Sequence, residues 1–100
     1  MKLEIQTPEI PLVFKLKTDI PNGVTVDVPP IGMTRDILSD AIAIAIVTFP
    51  INVSAQILAI WLYEKFKDGK SKTVTINKRE IEISPDGFIR IIEETIKSEG

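Results

Sequence analysis

The 100-residue sequence has no cysteine and no histidine. The first absence excludes disulfides, thiolate metal sites and cysteine nucleophiles. The second removes the commonest general base and the commonest metal ligand. An all-oxygen Mg²⁺ or Ca²⁺ site needs a run of carboxylate and carbonyl ligands, and no such run stands out. Glycine is sparse and scattered, at Gly23, Gly32, Gly69, Gly87 and Gly100, so there is no glycine-rich phosphate loop. No cofactor and no metal are expected. Aromatic residues make up 6% of the chain, and the basic stretch 65–79 holds only Phe66 among them, which gives single-stranded nucleic acid little to stack on. The N-terminus lacks the apolar stretch of roughly 7–15 residues that marks a signal peptide and soon reaches Pro8 and Pro11. Together with the absence of cysteine, this fits a cytoplasmic protein.

What is present is ordinary for a globular domain: 44% hydrophobic residues, 26% charged residues and a net charge of −2. The length suits one domain with its own core, residues 1–100. The net charge argues against a nucleic-acid partner. Residues 64–79 carry six basic groups against Glu64 and Asp68, whereas 80–100 carry Arg90 and Lys97 against six acids. Two solvated faces that partly neutralise each other account for that asymmetry.

Three zones follow along the chain. In residues 1–33, Leu3 and Ile5, then Leu12, Phe14 and Leu16, then Val24, Val26 and Val28 alternate with more polar residues, which predicts three half-buried strands. Asp19-Ile20-Pro21-Asn22-Gly23 reads as a reversal and Pro29-Pro30 as a strand end. Residues 34–68 predict two helices. The first is capped at Thr34, with Asp36 in its first turn, and runs from Arg35 to about Phe49. The second follows Pro50, is capped by Asn52 or Ser54, and runs to about Lys67, with Gly69 as terminator. The run Ala41–Ile46 also alternates small with large, as a strand would; alanine's helix preference and the caps favour helix. In the last zone, Val74 and Ile76 share parity with Ile81 and Ile83 around Asn77-Lys78-Arg79-Glu80, a β-hairpin with one buried face. Ser84 and Pro85 then open a helix whose stripe is Phe88, Ile91, Ile92, Thr95 and Ile96. The fold class is therefore α+β: an antiparallel sheet from the N-terminal strands and the 73–83 hairpin, packed on a central helical hairpin and a C-terminal helix.

The segment Ile37–Tyr63 is the most unusual, with Asp40 as its one charge. A bilayer span needs about 20 consecutive apolar residues, and Pro50 with Asn52 divides this stretch into shorter pieces. A hairpin in the domain's own core is preferred to one covered by a second molecule, and membrane insertion comes last. Ala41 and Ala45, and likewise Ala55 and Ala59, put small residues on one face of each expected helix, which would let the two pack closely. On the second helix, Ile57, Leu58, Trp61, Leu62 and Phe66 form one stripe and Ile60 and Tyr63 lie beyond it. A helix apolar on more than one side is central or covered by a partner. The candidate interface is Ile60, Trp61, Tyr63, Ile44 and Val47, in a homo-oligomer, most simply a dimer, or against another protein.

Candidate catalytic groups are weak. Ser39-Asp40, Ser54 and Ser84-Pro85-Asp86 are hydroxyls without a nearby base, and Glu80, Glu82, Glu93 and Glu94 read as solvated carboxylates. No enzyme activity is expected.

From Ile31 onward, Gly32-Met33 precedes an expected small-residue apolar helix, a second helix ends in Trp61-Leu62 before basic residues, and a hairpin Thr73–Ile83 and a short helix follow. That order over residues 31–97 resembles the effector-associated constant component proteins of prokaryotic conflict systems. The resemblance implies a small non-catalytic adaptor beside variable effectors and carries no site residues. The sequence departs from that pattern at Asn77-Lys78-Arg79-Glu80, where an Asp-Gly type turn is usual, and in its proline-rich N-terminal part.

Overall fold

The computed structural model describes residues 1–29 and 42–99. The expected first-helix cap Thr34, with Arg35, Asp36 and Ala41, and the pairs Gly32-Met33 and Ser39-Asp40, lie outside the described residues.

The elements are β1 (Lys2–Thr7), α1 (Ile10–Lys15), β2 (Thr25–Asp27), β3 (Ala43–Thr48), α2 (Ala55–Phe66), β4 (Thr73–Ile76), β5 (Arg79–Glu82) and α3 (Pro85–Glu99). The five strands form one antiparallel sheet in the order β2-β3-β1-β4-β5, so the fold is α+β. Two antiparallel steps separate β1 from β2, and two separate β3 from β4, so each pair runs parallel across an intervening strand. The connections β1–α1–β2 and β3–α2–β4 are thus two interleaved βαβ units, the ferredoxin-like arrangement. The hairpin strand β5 and the helix α3 extend it at one edge.

Alternation decides which side of the sheet is covered. Leu3 and Ile5 of β1, Ala43, Ala45 and Val47 of β3, and Val74 and Ile76 of β4 face the helices and are buried. They meet Leu12 and Val13 of α1, Leu58, Ala59, Leu62 and Phe66 of α2, and Phe88, Ile91 and Ile92 of α3 in one contiguous core. The rings of Phe66 and Phe88 tilt at 45° with centroids 6.3 Å apart, locking the end of α2 to the start of α3. The other side of the sheet carries Glu4, Gln6, Ile44, Ile46, Thr75 and Glu80.

Two segments differ from the sequence expectation. Leu12–Leu16 was expected as a strand but lies in the helical turn of α1, with Leu12, Val13 and Leu16 buried. An i, i+2, i+4 apolar triad also satisfies the helical i, i+4 spacing, and Pro11 in the first turn suits a helix start and not a strand interior. The end of the expected first central helix, Ala43–Thr48, is strand β3, paired along its length with β1. Its small-large alternation is a period of two: the alanines and Val47 turn inward, and Ile44 and Ile46 outward. Tertiary pairing here overrides alanine's helix preference. The second helix keeps its expected place, with Ser54 as cap accepting the Ile57 N–H at 3.3 Å.

Gly69 serves close approach. A Cβ there would come 2.6 Å from Leu12 Cδ1 and 2.9 Å from Glu9 Oε2. The Glu9 carboxylate accepts the Lys70 and Ser71 backbone N–H groups, each at 2.8 Å. These two bonds, the Lys70 one foremost, hold the Glu9 carboxyl below its ordinary range. A lowered folded-state value stabilises the fold in full above the unfolded value, about 4.3, and the contribution is lost as pH falls through the folded one. Acidification should therefore release this loop, so that the Lys70 and Ser71 amides lose hydrogen-exchange protection as pH falls through the lowered folded-state value. The Glu9→Gln protein should show that weaker protection already at pH 7, at a cost of about 1 kcal/mol for a solvent-accessible group. Exchange that is identical in both proteins across this range would refute the latch.

Candidate interaction site

Pro50 ends β3 and Ser54 starts α2, so the chain turns sharply between sheet and helix. The inward side of α2 carries Leu58, Ala59, Trp61, Leu62 and Phe66. Trp61 is 7% exposed and donates its Nε1–H to the Thr18 carbonyl at 3.2 Å. One helical turn on, Lys65 Nζ donates to Thr18 Oγ1 at 2.7 Å and pairs with Asp19 Oδ2 at 3.1 Å. These bonds clamp the turn after α1 against α2. The chain then reverses at Pro21–Val24, where Gly23 adopts φ 84° and the Val24 N–H reaches the Pro21 carbonyl at 3.1 Å. Gly23 lies over Pro50 and Val53, at ordinary contact distance for a side chain placed there.

A surface groove of about 540 Å³ results, lined by Pro21, Gly23, Pro50, Val53 and Ile57 among others. Ile57 is 58% exposed, Ile60 one turn further along α2 is 49% exposed, and Ile51 in the preceding turn is 63% exposed. Ile57 lines the groove, and Ile51 next to Pro50 and Ile60 on the same helix face adjoin it, which gathers three exposed isoleucines at this side of α2. The outer side of α2 continues into the surface pair Glu64–Lys67 at 2.8 Å, which raises the Lys67 ammonium from its ordinary value.

The residues expected at an interface do not converge. Ile60 is on the surface and Tyr63 is half-buried at the edge of the core, but Trp61 and Val47 lie within the core. Ile44 points from the opposite face of the sheet, so it shares no patch with Ile60. Ile57, assigned by helical spacing to the buried stripe, is outside, and Ala59 takes the inner place. Ile51 and Ile57 were missed, although Ile57 stands three residues before Ile60 and so shares its face.

The remaining hydroxyl candidates act as caps. Ser54 caps α2, and Ser84 Oγ accepts the Gly87 N–H at 3.0 Å at the start of α3. Among the described residues no His, Cys, Asp or Glu group is clustered to hold a metal ion, and no helix is long and apolar enough to cross a membrane. No protein-family model, no curated protein and no solved structure matches the chain.

Proposed function

We propose that this chain is a non-enzymatic protein-interaction module that docks through the outer side of α2, with a second copy of the chain as its first partner in a two-fold dimer. The observation that carries the reading is the exposure of Ile51, Ile57 and Ile60 in and beside the Pro21–Pro50 groove. Apolar groups gathered in this way usually mark an interface, and a two-fold dimer is the commonest closed assembly. The resemblance to the effector-associated constant components points to the same kind of role, an adaptor in a prokaryotic conflict system. The lack of cysteine supports a cytoplasmic place for it.

Insertion of the 37–63 segment into a membrane is the second reading. It is the less supported one because β3 is hydrogen-bonded to β1 on one side and β2 on the other. Withdrawing it would leave the backbone groups of both neighbours unpaired.

The test is mass in solution by light scattering. The wild type should run at twice the 11.1 kDa chain mass, and the Ile57→Glu/Ile60→Glu protein at the single mass with an unchanged circular dichroism spectrum. A wild type that stays monomeric at millimolar concentration removes self-association. A double variant that stays dimeric places the contact elsewhere.

A further inference from the structure

The edge of the sheet formed by β5 has features that the α2 surface does not use. Asn77-Lys78 is a two-residue turn with both φ angles positive, 53° and 67°, and it pairs Ile76 with Arg79. In such a hairpin Arg79 and Ile81 turn their backbone groups toward β4, and the bond from the Ile83 N–H to the Lys72 carbonyl at 2.9 Å continues that parity. Glu80 and Glu82 therefore point their backbone groups away from the sheet. Among the described residues no strand lies beyond β5. The opposite edge strand, β2, has only three residues.

Beside this edge runs a groove of about 500 Å³ between β5 and α3, lined by Ile81, Ser84, Arg90, Ile91 and the ion-paired Arg79 and Glu94. One end is closed where α3 abuts the strand: a Cβ on Gly87 would lie 2.7 Å from the Glu82 carbonyl oxygen. Short of that closure the outward N–H and carbonyl of Glu80 stay open, and an open strand segment beside a helix-walled groove is the geometry in which extended peptides bind by strand addition, backbone to backbone, with alternate side chains in the groove.

Charge selects the occupant. The Glu80 and Glu82 side chains are exposed on the helix-free face of the sheet, which also carries Glu4 and Asp27 against Lys2. Two copies of β5 paired antiparallel would set these glutamates against each other, which is unfavourable. A strand with lysine or arginine at alternate positions would meet them with opposite charge. We propose that β5 accepts an extended basic segment of a protein partner as a sixth strand, with the basic side chains beside Glu80 and Glu82 and the apolar ones over Ile81 and Ile91. This surface is independent of the α2 surface, and the two together would let the module join one partner to another.

The test uses the ¹⁵N-labelled full chain carrying Ile57→Glu and Ile60→Glu, so that the outcome does not depend on the α2 reading. The probe is a capped peptide of alternating lysine and valine. Amide shifts should concentrate at Arg79–Glu82 and at Arg90–Glu94, and the Glu80 amide should gain exchange protection. An alternating glutamate-valine peptide should bind at least about tenfold more weakly, as expected for a few cross-strand charge pairs. The Glu80→Lys/Glu82→Lys protein, changed only at exposed positions, should reverse that preference. A lysine-valine peptide N-methylated along its pairing edge keeps its charge and should lose binding. Equal binding of the methylated peptide, shifts spread over the whole surface, or no shifts at millimolar peptide would each overturn the proposal.

Discussion

Trp61→Ala should destabilise the protein by about 3–5 kcal/mol, the usual cost of truncating a buried large aromatic to alanine. That is a large share of the roughly 5–15 kcal/mol that holds a small domain together. The side chain is 7% exposed, packs in the core and ties α2 to the Thr18 carbonyl. Trp61→Phe should keep most of the packing and lose about 1 kcal/mol with the hydrogen bond. Urea unfolding followed by circular dichroism measures both; fluorescence would fail because Trp61 is the only tryptophan. The interface role expected from sequence predicts the reverse pattern, with stability kept and association lost. An alanine variant as stable as wild type would restore that role.

Asn77→Ala should destabilise the protein by about 2–3 kcal/mol, a large effect for a polar side chain in a turn. Asn77 acts as a partner strand for Glu4: its N–H donates to the Glu4 carbonyl at 2.8 Å, and its Oδ1 accepts the Glu4 N–H at 2.9 Å. Its Nδ2 donates to Thr95 Oγ1 at 3.3 Å, and that hydroxyl donates to the Ile91 carbonyl at 2.9 Å. One side chain thus joins the β4–β5 turn to β1 and to α3. It does so at a positive φ, which asparagine tolerates better than alanine. Asn77→Gly keeps the backbone freedom and removes only the side-chain bonds, so it should cost less than alanine. Thermal denaturation of the two variants separates the contributions, and equal losses would mean that conformation contributes nothing.

The sequence made the elements with an unambiguous period and marked ends readable. The 73–83 hairpin, the capped α3 with its Phe88–Thr95 stripe, and the helix after Pro50 all stand where alternation, caps and proline place them. The errors fell where one pattern fits two periods. Leu12, Phe14 and Leu16 serve strand and helix alike, and the alanines of 43–47 favour a helix locally but face the core from a strand. The fate of that run depends on pairing with Leu3–Gln6, some forty residues earlier in the chain, which no local window contains. The same dependence hid the candidate site. Taking Ala43–Thr48 for a helix set Ile44 and Val47 beside Ile60, whereas a strand puts those two on opposite sides of the sheet. The exposure of Ile57 depends on which arc of α2 the sheet occupies. The Glu9 latch and the Asn77–Glu4 bonds left no trace, because each joins residues more than sixty positions apart.

The position of β1 also has a consequence for connectivity. The first strand is the middle of the sheet, with β2 and β3 on one side and β4 and β5 on the other. Among the described residues it alone joins the two halves edge to edge, so losing it would divide the sheet instead of trimming it. Its partners arrive late in the chain, at residues 43–48 and 75–76. The seam therefore closes only after most of the polypeptide is present, and folding must bear the entropy of two long loop closures. The β4–β5–α3 unit, built from near neighbours, has no such wait.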